Sequence, residues 1–232
     1  FSLIEHTNVF NRISIMKSIL FGSIGSVVES SEIQRKAFNA AFKEFGLEWY
    51  WNIANYIRML QKPGGLNRLI EYSKNELNLD DAKQIHLLKI KHFKLLSKNT
   101  LKPRDGVLKV IQYALNNNIK IGFITTTTQD TLELVIDNLS NQIDFSKFDL
   151  ITHDQLINKR KPDPEIYNYA LEKLNINYKT SLAIENTLEN CSSSIEAKIH
   201  TVFSPGEYTI YDEGSLISKD ILKSVTSFFE EG

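Results

Sequence analysis

The sequence predicts an α/β protein: a parallel sheet with helices on both faces, interrupted after its first strand by a helical insert. Three observations carry this. Ser18-Ile19-Leu20-Phe21 is a short apolar run that stops at Gly22, with Gly25 close behind, as a buried strand entering a tight loop does. From Ser30 onward, roughly seventy residues show no strand period. Beyond Lys102-Pro103-Arg104-Asp105-Gly106, short apolar runs alternate with helical stretches of about 10–15 residues, which implies parallel strands covered on both faces.

Each element has a local reason. Ser30 or Ser31 can cap a helix in which Ile33, Ala37, Phe38, Ala41, Phe42 and Phe45 recur at helical spacing, and Gly46 stands where a left-handed cap is wanted. Asn52 to Asn99 reads as successive helices, broken at Pro63-Gly64-Gly65 and near Leu79-Asp80. Val107 to Asn117 is amphipathic. Lys120 to Ile124 reads as a strand ending in Thr125-Thr126-Thr127-Thr128, and a helix follows from about Asp130 to Leu139. A short strand is expected at Phe148–Ile151 and a helix at Glu165–Leu174, opened by Pro162 and Pro164. Ser181–Ile184 and His200–Phe203 read as strands, flanking a helix from about Leu188 to Ala197. Ile221–Phe229 reads as a final helix. Ligands of such sheets sit beyond the carboxyl ends of the strands, so the loops after Phe21, Ile124 and Ile184 are where chemistry is expected.

Composition excludes more than it identifies. The chain has 232 residues, 42% hydrophobic and 24% charged, enough to build a core. Lys+Arg is 27 against Asp+Glu 28, a net charge of -1 that gives no general attraction to nucleic acid or anionic membrane. Cys191 is the one cysteine, so no intrachain disulfide forms, and a reducing, cytoplasmic compartment fits. No run approaches the length of a membrane span. Phe1–Ile15 lack clear period and any secretory pattern, and Met16 stands immediately before the first strand. We treat 1–15 as an extension outside the fold, 16–30 and 101–232 as a core domain, and 31–100 as a helical domain.

Four segments at strand ends and one adjoining loop form a set: Phe21-Gly22-Ser23-Ile24-Gly25-Ser26, Ile124-Thr125-Thr126-Thr127, Lys161-Pro162-Asp163-Pro164 and Ile184-Glu185-Asn186-Thr187. Hydroxyls at one strand end and a lysine from a neighbouring loop can cradle a phosphate. In this order the set resembles the haloacid dehalogenase (HAD) superfamily, whose Rossmann-like core carries a helical cap inserted after the first strand. Closer still, the chain resembles the CbbY-like sugar-phosphate phosphatases, whose known member removes a phosphate from xylulose-1,5-bisphosphate. Arg35-Lys36-Ala37-Phe38-Asn39, Phe45-Gly46-Leu47-Glu48-Trp49-Tyr50-Trp51, Gly64-Gly65 with Arg68, and Ser204-Pro205-Gly206-Glu207-Tyr208-Thr209 extend that resemblance through the cap.

The resemblance implies an aspartate nucleophile at the end of the first strand, an aspartate acid/base two residues later, and carboxylates of the fourth motif joining the first in holding Mg²⁺. Here those positions are Gly22 and Ile24, while Glu185 is followed by Asn186 and Ser26 takes the place of a usual threonine. Losing a covalent nucleophile costs on the order of 10⁶ in rate, as in subtilisin. The family's metal site is thus degenerate (Gly22, Ile24, Glu185, Asn186), and no cofactor is expected. The binding half is better kept. By the resemblance, Thr125, Thr126 and Lys161 match phosphate-binding positions. Arg68, beside Gly64 and Gly65, matches a cap residue reaching toward the substrate's distal phosphate and Arg35 a cap-hinge position, although Gln34 replaces a usual histidine and Leu66 a usual lysine.

Three readings follow. The chain binds a phosphorylated small molecule or anion without conventional hydrolysis; or it is a sugar-phosphate hydrolase using another nucleophile such as Ser23; or it is a structural module meeting a protein partner. Trp49-Tyr50-Trp51 reads first as packing between cap helices. His86 and His92 are off one helical face, which disfavours a metal pair, and His153 beside Asp154 reads as a surface loop.

Overall fold

The computed structural model describes residues 16–211 apart from 63, 75 and 99. The arm at 1–15 and the helix expected at Ile221–Phe229 lie outside the described residues. Two compact units are present. Within the described residues, one comprises 16–28 together with Pro103–Gly206; the other is Glu29–Lys102 with 207–211.

The first unit is built on β1 (Ser18–Phe21), β2 (Lys120–Phe123), β3 (Leu150–Ile151), β4 (Ser181–Glu185) and β5 (His200–Phe203), all parallel, in the order β3-β2-β1-β4-β5. β1 is central, and its four residues are all buried, as a continuous apolar run requires when both faces are covered. Leu20 and Ala183 face Ile166, Tyr167 and Ala170 of a helix at Glu165–Leu174, here α8. On the opposite face Phe21, Phe123, Phe145 and Phe148 form a ring cluster with centroids 5.2–6.5 Å apart. Burying each such side chain contributes about 1.5–3 kcal/mol. Among the described residues the unit's other α-helices are α1 (Ile24–Val27), α6 (Val107–Asn116), α7 (Gln129–Leu139) and α9 (Leu188–Glu196).

The second unit holds α2 (Ser31–Phe45), α3 (Ile53–Met59), α4 (Gly65–Tyr72) and α5 (Leu79–Ser97). Its centre is aromatic: Trp51 is fully buried, 4.7 Å from Phe38 and 4.8 Å from Phe42 between centroids. Tyr50, by contrast, is 65% exposed, so the three consecutive aromatics split between core and surface. Asn39 brackets the Trp51 backbone, accepting from its N–H (2.8 Å) and donating to its carbonyl (3.0 Å). α2 ends at Gly46, whose φ of 88° is the left-handed value glycine takes without strain. Its start differs from expectation. Ser30 makes no side-chain cap, and Glu29 Oε1 instead accepts from the Ser31 N–H at 2.9 Å. The break expected near Leu79-Asp80 falls just before it. Asn78 accepts from Asp81 N at 2.8 Å, so Leu79 opens α5 and its acidic pair sits at the favourable positive end.

Candidate functional site

β1, β2 and β4 end together, and their loops set the geometry. Gly22 donates its N–H to Ile184 O at 2.9 Å, pinning the β1 exit to β4. Ser23 then caps α1 through a reciprocal pair with Ser26: Ser26 N donates to Ser23 Oγ (3.2 Å) and Ser23 N to Ser26 Oγ (3.3 Å). The Ser23 hydroxyl donates onward to Asn186 Oδ1 at 2.8 Å. Arg104 clamps the surrounding loops, donating to the carbonyls of Gly25 (2.7 Å), Ser204 (2.8 Å) and Pro205 (2.8 Å).

Lys161 reaches this cluster from the loop before α8. Glu165 holds that loop by accepting from the N–H groups of Asn158 (2.9 Å) and Lys159 (2.8 Å). Lys161 is 6% exposed, and its ammonium donates to Gly22 O, to Ile124 O at 2.9 Å and to Glu185 Oε1. An ammonium has three protons, and all three are engaged. Tyr167 adds a fourth wall: its hydroxyl donates to Glu185 Oε1 at 2.7 Å, and its ring centroid lies 4.8 Å from Lys161 Nζ. Burial lowers the pKa of Lys161, and the Glu185 carboxylate opposes part of that shift. Burial and the same carboxylate hold the Tyr167 phenol well above its ordinary value. Glu185 is fully buried, and its Oε2 has no hydrogen-bond partner among the described residues.

Gly22 has no room for a side chain. A Cβ there would stand 2.0 Å from Tyr167 Oη and 2.2 Å from Glu185 Oε1. A Cβ on Gly25 would likewise meet Asn186 Nδ2 at 2.0 Å. Thr125 is 3% exposed, and its Oγ1 accepts from Thr127 N at 3.1 Å. Its hydroxyl proton has no acceptor among the described residues. Thr126 is half-buried beside it, and Ile24 is half-buried in α1. Cys191 is buried and its thiol pushed up to about 12, which leaves it inert. Among the described residues no three His, Cys, Asp or Glu side chains gather as a metal-binding group.

In the helical unit the expected cap residues are tied to their own surroundings. Arg35 forks onto Glu32 (2.7 and 2.8 Å) and donates to Trp51 O at 2.8 Å. Gly64, with φ 96°, precedes α4, and Gly65 lies close against His86. Arg68 donates to Met59 O (3.0 Å) and Lys62 O (2.9 Å), closing the carboxyl end of α3. His92 bonds Glu44 at 2.7 Å and is apart from His86 in role.

A family profile described as haloacid dehalogenase-like hydrolase matches residues 21–204. The chain belongs to that family. Among its relatives, this HAD protein is 28% identical over 204 residues to Protein CbbY of Cereibacter sphaeroides, spanning 86% of this chain and 88% of the relative. The crystal structure of CbbY from Rhodobacter sphaeroides in complex with phosphate superposes with a TM-score of 0.77 at 27% identity, over 88% of this chain and 92% of the other. A variant of the same CbbY in complex with xylulose-1,5-bisphosphate gives 0.76 at 27% identity, with the same coverage. The HAD protein described here is therefore CbbY-like in sequence and fold. Two of its site residues escaped sequence reasoning. Tyr167 reads as an apolar helix position, and only its hydroxyl, six residues after Lys161, hinted otherwise. Arg104 lay within a turn-rich segment whose Pro and Gly masked it.

Proposed function

We propose that this HAD protein binds a phosphorylated small molecule or similar anion at the carboxyl end of its sheet, without aspartyl-phosphate hydrolysis. The observation that carries the reading is at Gly22, where a nucleophile's side chain would have to occupy space filled by Tyr167 Oη and Glu185. Ile24 offers no proton, and the Ser23 hydroxyl is spent on Asn186. The donor set also fails to fit Mg²⁺. Of the four positions the family uses, only Glu185 is a carboxylate, and it is already paired with an ammonium. We therefore read the binding as metal-independent, and residues 31–100 as its cap.

Support for anion binding is the Thr125 hydroxyl proton, which is uncommitted, beside Lys161, which is cationic. Because the ammonium is saturated, an incoming phosphate gains Lys161 by displacing Glu185 Oε1 or a carbonyl. Thr125 is then the first contact. The relatives' complexes with phosphate and a sugar bisphosphate agree with that ligand class.

The test pairs turnover with binding. Sugar phosphates incubated with the chain and Mg²⁺ should release no phosphate. Inorganic phosphate should raise the melting temperature equally in EDTA and in Mg²⁺, and Thr125→Val should weaken that shift several-fold. Phosphate release abolished by Ser23→Ala would establish the hydrolase reading instead. Binding that requires Mg²⁺, or no stabilisation by any anion, would overturn the proposal.

A further inference from the structure

The sheet has a second end, which the proposed function does not use. A cavity of about 460 Å³ opens at its amino edge, beside the starts of β1, β4 and β5. That volume falls in the range of small-molecule sites. All five strands are parallel, so this edge is opposite the one that carries Gly22, Thr125 and Glu185. Along β1 the two ends are about 10 Å apart.

The cavity walls are held in place by their own hydrogen bonds. Between α8 and β4, Asn177 organises a single turn: its Oδ1 accepts from Lys179 N (2.9 Å), and its carbonyl accepts from the hydroxyls of Thr180 (3.1 Å) and Ser181 (2.8 Å). Lys17 N donates to Thr180 O at 2.7 Å, which joins that turn to the start of β1. The second wall is the exit of α9, where Lys198 N donates to Ile195 O (2.8 Å) and Ile199 N to Ser194 O (3.0 Å). This double closure puts Lys198 in the left-handed region, with φ 63°. Glycine takes that conformation without strain, whereas a side chain there carries a steric cost. The chain nevertheless holds a lysine at this position, and the lysine lines the cavity.

Two kinds of group line it. Met16, Tyr178, Ile195 and Ile199 supply apolar surface, and Ile195 is 59% exposed. Lys179, Lys198 and His200 supply basic groups, and no aspartate or glutamate is among the lining residues. In a chain of net charge -1 that is a local excess of one sign beside an uncovered apolar wall. We propose that this cavity binds an amphiphilic carboxylate, a molecule with an apolar chain and one anionic end. The chain covers Ile195, Ile199 and the Tyr178 ring and takes their surface out of water, while the carboxylate accepts from Lys198 and Lys179. An amine of the same length meets like charge, and a small inorganic anion leaves the apolar wall wet. The site is independent of phosphate binding at the carboxyl end of the sheet.

The chain has two methionines, Met16 at the cavity and Met59 on α3, so methyl-¹³C-methionine NMR on the full chain reads the site directly. Titration with octanoate should shift the Met16 methyl along a saturating curve and leave Met59 in place. Octylamine and inorganic phosphate should leave both unmoved, and phosphate should not displace octanoate. Lys198→Gly relieves the left-handed strain, so this variant should fold at least as well while binding octanoate about five-fold more weakly. Ile195→Glu, at an exposed position, places a carboxylate at the apolar wall and should abolish the Met16 response. A Met16 methyl that octanoate does not move would overturn the proposal, as would an equal response to octylamine, displacement by phosphate, or full affinity in both variants. If sedimentation shows instead that Ile195→Glu converts a dimer to a monomer, the face belongs to a second copy of the chain and the ligand assignment falls.

Discussion

A methyl group on Gly22 is the smallest perturbation the site can receive, and there is no space for it beside Tyr167 and Glu185. Gly22→Ala should therefore cost about 1–3 kcal/mol in urea denaturation. In a Tyr167→Phe background, where the hydroxyl at 2.0 Å is gone, the cost should fall while Glu185 Oε1 at 2.2 Å keeps it above zero. An equal loss in both backgrounds would mean the contact is relieved by backbone movement instead. Glu185→Gln leaves the Lys161 ammonium buried without its counter-charge and should cost about 3–5 kcal/mol. Replacing both, Lys161→Met with Glu185→Leu, should cost less than either single change, measured the same way. At this scale the sequence was legible for identities and opaque for contacts. Gly22 and Lys161 stood out by position, but nothing in the order of residues says that Tyr167 turns its hydroxyl to the space beside Gly22. Lys159-Arg160-Lys161 reads as a solvated basic run, yet only its last member is buried, because the loop held by Glu165 turns it inward.

Among the elements, α2 shows how much a helix start can depend on one carboxylate. Glu32, in its first turn, takes both arms of Arg35 and the Tyr208 hydroxyl at 2.5 Å. The hydrogen bond from Arg35 leads in lowering Glu32 from 4.5 to about 2, with Tyr208 adding to it against some burial. A carboxylate whose folded pKa lies below its unfolded one contributes stability above pH 4.5, and that contribution is lost as pH falls toward 2. Urea titrations should show stability declining across that window, and Glu32→Gln should flatten the decline. An unchanged slope in the variant would remove Glu32 from the account. Strands were the most legible elements, since a four-residue apolar run buried on both faces admits few alternatives. β2 still closes at Phe123, one residue before the expected Ile124, and β4 continues to Glu185, because pairing with β5 extends it. Helix starts were less legible, as the choice among Glu29, Ser30 and Ser31 turns on side-chain directions.

Over the whole molecule, two units with separate cores predict separate thermal behaviour. One core centres on β1 and α8, the other on Trp51 and Phe38. Calorimetry should give a van 't Hoff enthalpy smaller than the calorimetric one. Gly22→Ala should shift the component belonging to the sheet unit, and Glu32→Gln near neutral pH the other. A single two-state transition displaced by both would refute independent units. The division was readable from a stretch without strand period, and so was its approximate place. Its return at Glu207 was not, because a segment of a few residues carries no periodic signal. The balanced charge of -1 was equally uninformative about the interior, where Lys161 is buried against two carbonyls and a carboxylate.

The crowding at Gly22 also has a genetic consequence. Every glycine codon lies a single base from an aspartate or a glutamate codon, so a carboxylate at position 22 is always one mutation away. That mutation would arrive in a space already taken by a tyrosine hydroxyl and a glutamate, and would place a second carboxylate against the first. An aspartate there fits only if the side-chain ends of Tyr167 and Glu185 move aside or are replaced, so it is opposed by its neighbours rather than by its own codon.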